Sequence, residues 1–209
     1  MSEFVDLTLL ATTFFTLFVI MDPVGTVPVF LALTSRMTAA QRRKAALQAT
    51  AVAFGVILVF SLFGQYILGF LQISLPALQL SGGLLLLLVA MELLMGWGRQ
   101  PEASDDSANV NVALVPLGTP LLAGPGAIVA AMLAVQDADG DVAGWVAIAV
   151  ALVGVHLCLW LGMRFSVVIH RVLGDGGTTL VTRLAGLLLA AIAVQLMADA
   201  VFALIEQEL

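Results

Sequence analysis

The chain has little charge and almost no cysteine, and each scarcity excludes a class of protein. Only 11% of its 209 residues are charged, whereas 61% are hydrophobic, and the mean hydropathy is +1.11. Because this amount of polar surface is too small to cover the exterior of a soluble monomer, we expect a membrane protein. The single cysteine, Cys158, lies in an apolar run and forms no intrachain disulfide.

Recognisable catalytic and metal-binding motifs are also missing. The sequence has no His/Cys cluster, phosphate-binding glycine loop or nucleophile elbow, so we expect no enzyme, no cofactor and no metal. Basic residues form no patch outside one short loop, which argues against a nucleic-acid partner. The acidic residues behind the net charge of -6 stand in short stretches, which we interpret as solvated loops and tail.

Apolar runs separated by short polar segments predict an all-α, polytopic membrane protein with six transmembrane helices. The first and fourth helices are predicted to be discontinuous. We expect one transmembrane domain, with repeat one at 1–97, a linker at 98–112 and repeat two at 113–209. The spans are approximately Leu7–Thr34, Leu47–Leu71, Ala77–Trp97, Ala113–Val135, Val142–Ile169 and Leu180–Leu204.

The basic residues predict the orientation of these spans. All eight fall in, or at the rims of, the odd-numbered connections, and the ends and even-numbered connections have none. Because cytoplasmic loops are enriched in Lys and Arg, both termini are predicted on the external side. The basic residues are Arg36, Arg42, Arg43, Lys44, Arg99, Arg164, Arg171 and Arg183.

The two halves of the chain resemble each other in part. Leu80–Leu86 (LSGGLLL) aligns with Arg183–Leu189 (RLAGLLL), and a nearly equal offset places Pro23 on Pro125. Three spans per half is an odd number, so a repeat of the halves is predicted to be inverted in the membrane. In the same register Glu92 lies opposite Gln195.

Each discontinuous helix is interrupted by proline and glycine near its middle. A broken backbone is tolerated at membrane depth only where protein or a cavity satisfies the freed polar groups. Two breaks at matching positions point to a transporter's binding site, with N–H groups for a carboxylate and carbonyls for an ammonium. The alternative is a pair of proline kinks that only help helices pack. The predicted substrate-binding residues are Asp22, Pro23, Gly25, Thr26, Gly124, Pro125, Gly126 and Ala127.

Three acids and one histidine lie inside apolar stretches, and one of the acids, Asp199 near the external end of the last span, is interpreted as solvated at the interface. Asp22 could hold a substrate ammonium or carry a coupling proton, or it could simply cap a half-helix beginning at Pro23. Glu92 is a second candidate for proton coupling, although its place near the end of a span equally favours interfacial solvation. His156 is interpreted as a packed, hydrogen-bonded residue more readily than as a proton relay.

The break segments resemble the two signatures of the MarC family, also called the neutral amino acid transporter family. They are Asp22–Phe30 (DPVGTVPVF) and Gly124–Ile128 (GPGAI), and Gly82-Gly83 and Arg183–Gly186 also look like family blocks. The resemblance implies a prokaryotic inner-membrane protein with six spans in two inverted repeats. It also implies proton-coupled movement of small neutral amino acids such as glycine and alanine. Family members have Asn or Asp at the position of Asp22, so an acid is not obligatory there.

The predicted function is secondary transport of a small neutral amino acid by alternating access around a site at mid-membrane. Its predicted partners are this substrate and the lipid bilayer, and the oligomeric state is left open. Two alternatives remain at this point. One is an exporter of drugs or metabolites, and the other is a non-transporting membrane module that binds a partner or lipid.

Overall fold

Helices form every regular element in the part of the chain that the structure describes. The computed structural model describes residues 5–34, 37–95, 122–138 and 140–208. Its last helix contains Gly174 at φ 64° and ψ -177°, so this helix consists of two segments. The helices are α1 (Leu7–Met21), α2 (Thr26–Leu33), α3 (Ala39–Leu71), α4 (Leu75–Met95), α5 (Pro125–Asp137), α6 (Val142–Arg164) and α7 (Ser166–Glu208).

Four of these helices are long and apolar enough to cross a membrane. They are α3, α4, α6 and the Thr179–Glu206 part of α7, while α1 and α5 contribute shorter apolar helices. Large apolar side chains such as Phe63, Phe70 and Leu188 are exposed on the outside of the bundle. An exterior of this kind suits lipid, and the all-α membrane architecture is thereby confirmed.

Two predicted boundaries are wrong. Helix α3, which corresponds to the predicted second span, begins at Ala39 instead of Leu47, because a capping box of Thr38 and Gln41 starts it within the polar stretch. Its 33 residues correspond to about 50 Å, so its first turns, which carry Arg42 and Arg43, extend beyond the apolar layer.

The predicted span Val142–Ile169 is also wrong, because α6 ends at Arg164. Phe165 leaves the helical conformation at φ -104° and ψ 16°, and α7 begins at the next residue. Hydropathy could not show this turn, since the residues after it are as apolar as those before it. The linker 98–112 and the first part of the predicted fourth span, 113–121, lie outside the described residues.

An alanine-rich core joins α1, α2, α3, α5 and α6. Small side chains let helix backbones approach closely, as is usual inside membranes. Helix α1 runs parallel to α6. The Asp6 N–H donates to the Ala143 carbonyl at 3.4 Å near the start of both helices, and further along both helices Phe14 lies against Gly154. Buried core residues include Leu17, Met21, Ala46, Ala49, Ala53, Leu122, Ala123, Ala127, Ala131, Leu152 and Leu159.

The most extensive helix contact joins α4 to α7, and it is reciprocal. A methyl group at Gly83 would lie 3.0 Å from the Ala193 carbonyl oxygen, and one at Gly186 would lie 3.2 Å from the Ala90 carbonyl oxygen. Ala90 and Ala193 are both fully buried in the small cluster between these helices. Each helix therefore places a glycine against the alanine of the other.

Candidate functional site

The first break begins where Asp22 ends α1. Asp22 adopts a left-handed conformation (φ 39°, ψ 73°), and its N–H still donates to the Phe18 carbonyl at 3.1 Å. Its carboxylate Oδ1 accepts the Gly25 N–H at 2.9 Å across a turn formed by Pro23 to Gly25. The next helix, α2, starts at Thr26. The predicted helix start at Pro23 is therefore wrong, because the left-handed residue places a turn between the two helices. The predicted capping role of Asp22 is confirmed by its bond to the Gly25 N–H.

Asp22 also holds the start of α2 through its backbone carbonyl. This oxygen accepts the Thr26 N–H at 3.0 Å and the Thr26 hydroxyl at 2.9 Å. The N–H groups of Gly25 and Thr26, predicted as donors to a ligand, are thus already bonded to Asp22 in this conformation. Both residues are buried.

Two glycines make this arrangement possible. A side chain at Gly25 would collide with the Asp22 carboxylate, so only glycine lets that carboxylate reach the turn. On the neighbouring helix α6, a methyl group at Gly162 would lie 3.0 Å from the Pro23 carbonyl oxygen. Gly162 was not singled out by sequence reasoning, because nothing local distinguishes it from other small residues in an apolar helix.

The predicted second break falls where α5 begins. Gly124 is its N-cap in an extended conformation (φ -65°, ψ 162°), and Pro125 occupies the first turn. This start agrees with the prediction that a half-helix begins at Pro125. The segment before the break, predicted to end near Gly124, lies outside the described residues up to position 121.

The start of α5 differs from that of α2 because its N-cap residue, Gly124, cannot cap it with a side chain. The Ile128 N–H donates to the Gly124 carbonyl at 3.2 Å, and Gly124 itself has no side chain that could cap the first turn. The N–H groups in the first turn of an α-helix have no intrahelical partner. In α5 these are the N–H groups of Gly126 and Ala127, since Pro125 has none. Together with the helix dipole, these groups form the kind of helix end that binds anions.

Gly126 also has a packing role. A side chain at this position would collide with Leu86 of α4. The glycine therefore lets α5 approach α4, and a larger residue would disturb helix packing as well as any ligand.

The two breaks adjoin the same buried cluster. Met21, at the end of α1, belongs to it together with Leu122, Ala123 and Ala127 around the second break. Helix α1 packs directly against α5. The structure therefore brings the neighbourhoods of both breaks into one core, as a single site between them requires.

The remaining ionisable candidates lie elsewhere. Glu92 is exposed in the last turn of α4 and is not part of the core around the breaks. His156 is buried in α6, where its Nδ1 lies 2.7 Å from the Leu152 carbonyl oxygen and its ring packs edge-on against Phe54 at 5.0 Å. The interpretation of His156 as a packed, hydrogen-bonded residue is confirmed.

The spans, the lipid-suited exterior and the interruption between α1 and α2 define the class as a polytopic α-helical integral membrane protein. The chain belongs to the MarC family: the family model described as MarC family integral membrane protein matches residues 7–205.

Similar proteins occur in distant prokaryotes. The chain is 35% identical to a UPF0056 membrane protein of Aquifex aeolicus, over 91% of this chain and 91% of the relative. It is 30% identical to the UPF0056 membrane protein YvbG of Bacillus subtilis, over 87% and 88%. It is 31% identical to the UPF0056 inner membrane protein MarC of Citrobacter koseri, over 88% and 90%. No solved structure is significantly similar to the chain.

Proposed function

We propose that this protein is a secondary transporter of small neutral amino acids across the prokaryotic inner membrane. It would work by alternating access around a site between the two helix breaks. The observation that carries the proposal is that the interruption between α1 and α2 and the start of α5 at Pro125 adjoin one buried core. Membership of a membrane-protein family, with relatives named inner membrane proteins, supports the location.

The two ends of an amino acid match the chemistry of the two breaks. The N–H groups of Gly126 and Ala127, in the first turn of α5, would hold the carboxylate, aided by the dipole of α5. Asp22 and the carbonyl end of α1 would hold the ammonium. Because Gly25, Gly126 and Ala127 are buried among close neighbours, the site favours a substrate with a very small side chain, such as glycine or alanine.

An inverted repeat of two three-helix halves is part of this proposal. The exchange of glycine and alanine between α4 and α7 supports it, since Gly83–Gly186 and Ala90–Ala193 have the same sequence offset. The half-helices after the breaks also have corresponding neighbours. Helix α2 packs against α6 and α7, and α5 packs against α3 and α4. A self-complementary contact of this kind is what two-fold symmetry requires.

Uptake by purified protein in liposomes tests the function. We expect accumulation of labelled glycine and alanine, driven by a proton gradient, with little uptake of leucine. We also expect glycine to raise the thermal stability of the detergent-solubilised protein, because a ligand that binds only the folded state stabilises it. Absence of both effects for every small neutral amino acid would overturn the proposal.

Coupling to protons is tested separately with isosteric variants. Asp22→Asn and Glu92→Gln each remove one candidate proton carrier with little change of shape. We expect one of them to abolish gradient-driven accumulation while exchange of glycine continues. Asp199→Asn is the matched control, since Asp199 is an exposed acid of α7 that accepts a hydrogen bond from Gln195 at 2.8 Å. Unchanged accumulation in both test variants would contradict coupling through these residues.

A further inference from the structure

A cationic cleft lies between the start of α3 and the turn from α6 to α7. Its volume is about 400 Å³, and it is separate from the residues of the two breaks. Three arginines line it: Arg42 and Arg43 from α3, and Arg164 from the last turn of α6. Among the described residues that line the cleft, none is acidic. The cleft therefore carries positive charge that a bound anion would neutralise.

Two of the arginines are held in place by neighbouring groups. The Arg42 guanidinium donates through one Nη to the Thr34 carbonyl at 3.1 Å, and this bond ties the arginine to the end of α2. The Arg164 guanidinium lies 5.3 Å from the centre of the Phe165 ring, within range of a cation–π interaction. Arginines fixed in this way lose little conformational freedom when they bind a phosphate.

Ser166 adds a buried polar group to the cleft. This side chain is only 1% exposed, and within the described part of the chain its Oγ has no hydrogen-bond partner. The Nε of Arg42 is likewise buried without a partner there. Buried polar groups are normally hydrogen-bonded, so an unpartnered hydroxyl and guanidinium nitrogen in one cleft point to a missing oxygen-rich ligand.

The cleft also has an apolar side. Phe165, Val167 and Val168 are 47%, 44% and 54% exposed beside the arginines. The cleft lies where α6 leaves its apolar span, which is the depth of lipid headgroups in a bilayer. A ligand that satisfies both sides has an anionic head and a hydrocarbon tail.

We propose that this cleft binds the phosphate group of an anionic membrane phospholipid. The guanidinium groups of Arg42, Arg43 and Arg164 hold the phosphate through charge-assisted hydrogen bonds, and the Ser166 hydroxyl donates to one of its oxygens. The acyl chains lie along Phe165 and Val168. Basic pockets between transmembrane helices are a known means of headgroup recognition. The proposal is independent of transport.

Thermal unfolding of the purified full-length protein in detergent tests this inference, with phosphatidylglycerol as the probe. We expect phosphatidylglycerol to raise the unfolding temperature, and phosphatidylcholine to have a much smaller effect. The double variant Arg43→Gln/Arg164→Gln should weaken the apparent phosphatidylglycerol affinity by roughly tenfold or more. These two residues are preferred to Arg42, whose loss would also break the bond to Thr34.

The matched control is Arg171→Gln/Arg183→Gln. Both of its residues are exposed arginines that do not line the cleft, and the change in net charge is the same. This control should keep the stabilisation by phosphatidylglycerol. Equal loss in both double variants would show general surface attraction and overturn the proposal.

Two further arms identify the source of the phosphate. Inorganic phosphate and glycerol phosphate at millimolar concentration should not reproduce the shift, because they lack the acyl chains. An equal shift with either would assign the cleft to a soluble anion instead of a lipid. Ser166→Ala removes only one hydroxyl and should weaken phosphatidylglycerol binding about threefold. This variant tests the proposal independently of whether the double variant folds. An unchanged affinity in Ser166→Ala would contradict the role given to this hydroxyl.

Discussion

Local hydrogen bonds of Asp22 offset the cost of its left-handed backbone conformation. A left-handed backbone costs an L-residue about 1–2 kcal/mol, and Asp and Asn tolerate it because their short side chains bond to nearby backbone. Here the carboxylate accepts the Gly25 N–H, and the carbonyl accepts from Thr26. The same logic explains why an amide would serve equally well at this position, since its oxygen can accept the same N–H group.

Replacement of Asp22 tests this account. Asp22→Ala should lower the free energy of unfolding by about 2 kcal/mol, because it removes the acceptor for Gly25 and leaves a left-handed alanine. Asp22→Asn should change it by less than about 0.5 kcal/mol. Chemical unfolding in detergent followed by circular dichroism measures both. If Asp22→Asn were as unstable as Asp22→Ala, the charge and not the hydrogen bond would hold the break.

Gly25 and Asp22 should be energetically coupled. Gly25→Ala places a methyl group against the Asp22 carboxylate and should destabilise the protein by about 1–3 kcal/mol. In an Asp22→Ala background the same change should cost much less, because the opposing carboxylate is gone. A double-mutant cycle of unfolding free energies measures this difference. Additive effects of the two changes would contradict the contact.

The sequence was sufficient to locate the first break and the start of α5, but not to define the geometry of the first break. Gly124-Pro125 predicts a helix start directly, since an extended glycine followed by proline is a common N-terminus. At Asp22-Pro23 the same reasoning placed the helix start three residues too early. The left-handed conformation of Asp22 depends on its bonds to Gly25 and Thr26, and residue types alone do not reveal it.

At the scale of helices, the reciprocal contact of α4 and α7 depends on two glycines. Gly83→Ala and Gly186→Ala each direct a methyl group at a backbone carbonyl of the other helix. Backbone cannot move aside as a flexible side chain can, so each change should destabilise the protein by about 1–3 kcal/mol.

Gly55 of α3 is the matched control for these glycines. A methyl group there meets no heavy atom within 4 Å, so Gly55→Ala should be neutral or stabilising by up to about 1 kcal/mol. Thermal unfolding of the three variants in one detergent measures the contrast. Equal effects at Gly55 and Gly83 would contradict the close approach of α4 and α7.

Apolar runs predicted the existence of the helices better than their ends. Hydropathy predicted six spans, and four of them correspond to described helices long and apolar enough to cross a membrane. The turn at Phe165 was missed because it lies inside an apolar run, and the start of α3 was missed because its first turns are polar. The cationic cleft was missed for another reason. It joins Arg42 and Arg43 to Arg164 and Ser166, which are far apart along the chain.

At the scale of the whole molecule, the distribution of basic residues makes a prediction about topology. In a Cys158→Ser background, Asp141→Cys should react with a membrane-impermeant maleimide on intact cells. Arg171→Cys should react only after the cells are permeabilised. Both positions are exposed, so a difference in labelling reports the side of the membrane. The opposite pattern would place both termini in the cytoplasm and contradict the positive-inside assignment.

The contact of Gly162 with the Pro23 carbonyl has a consequence for how the bilayer affects this protein. Gly162 lies two residues before Arg164, so the Pro23 carbonyl is less than one turn of α6 away from the arginine that we propose to bind lipid. Sliding of α6 along its axis would press directly on the Pro23 peptide. The composition of the surrounding leaflet is therefore expected to change the rate at which the break rearranges. Turnover measured in membranes of graded anionic content would show this dependence.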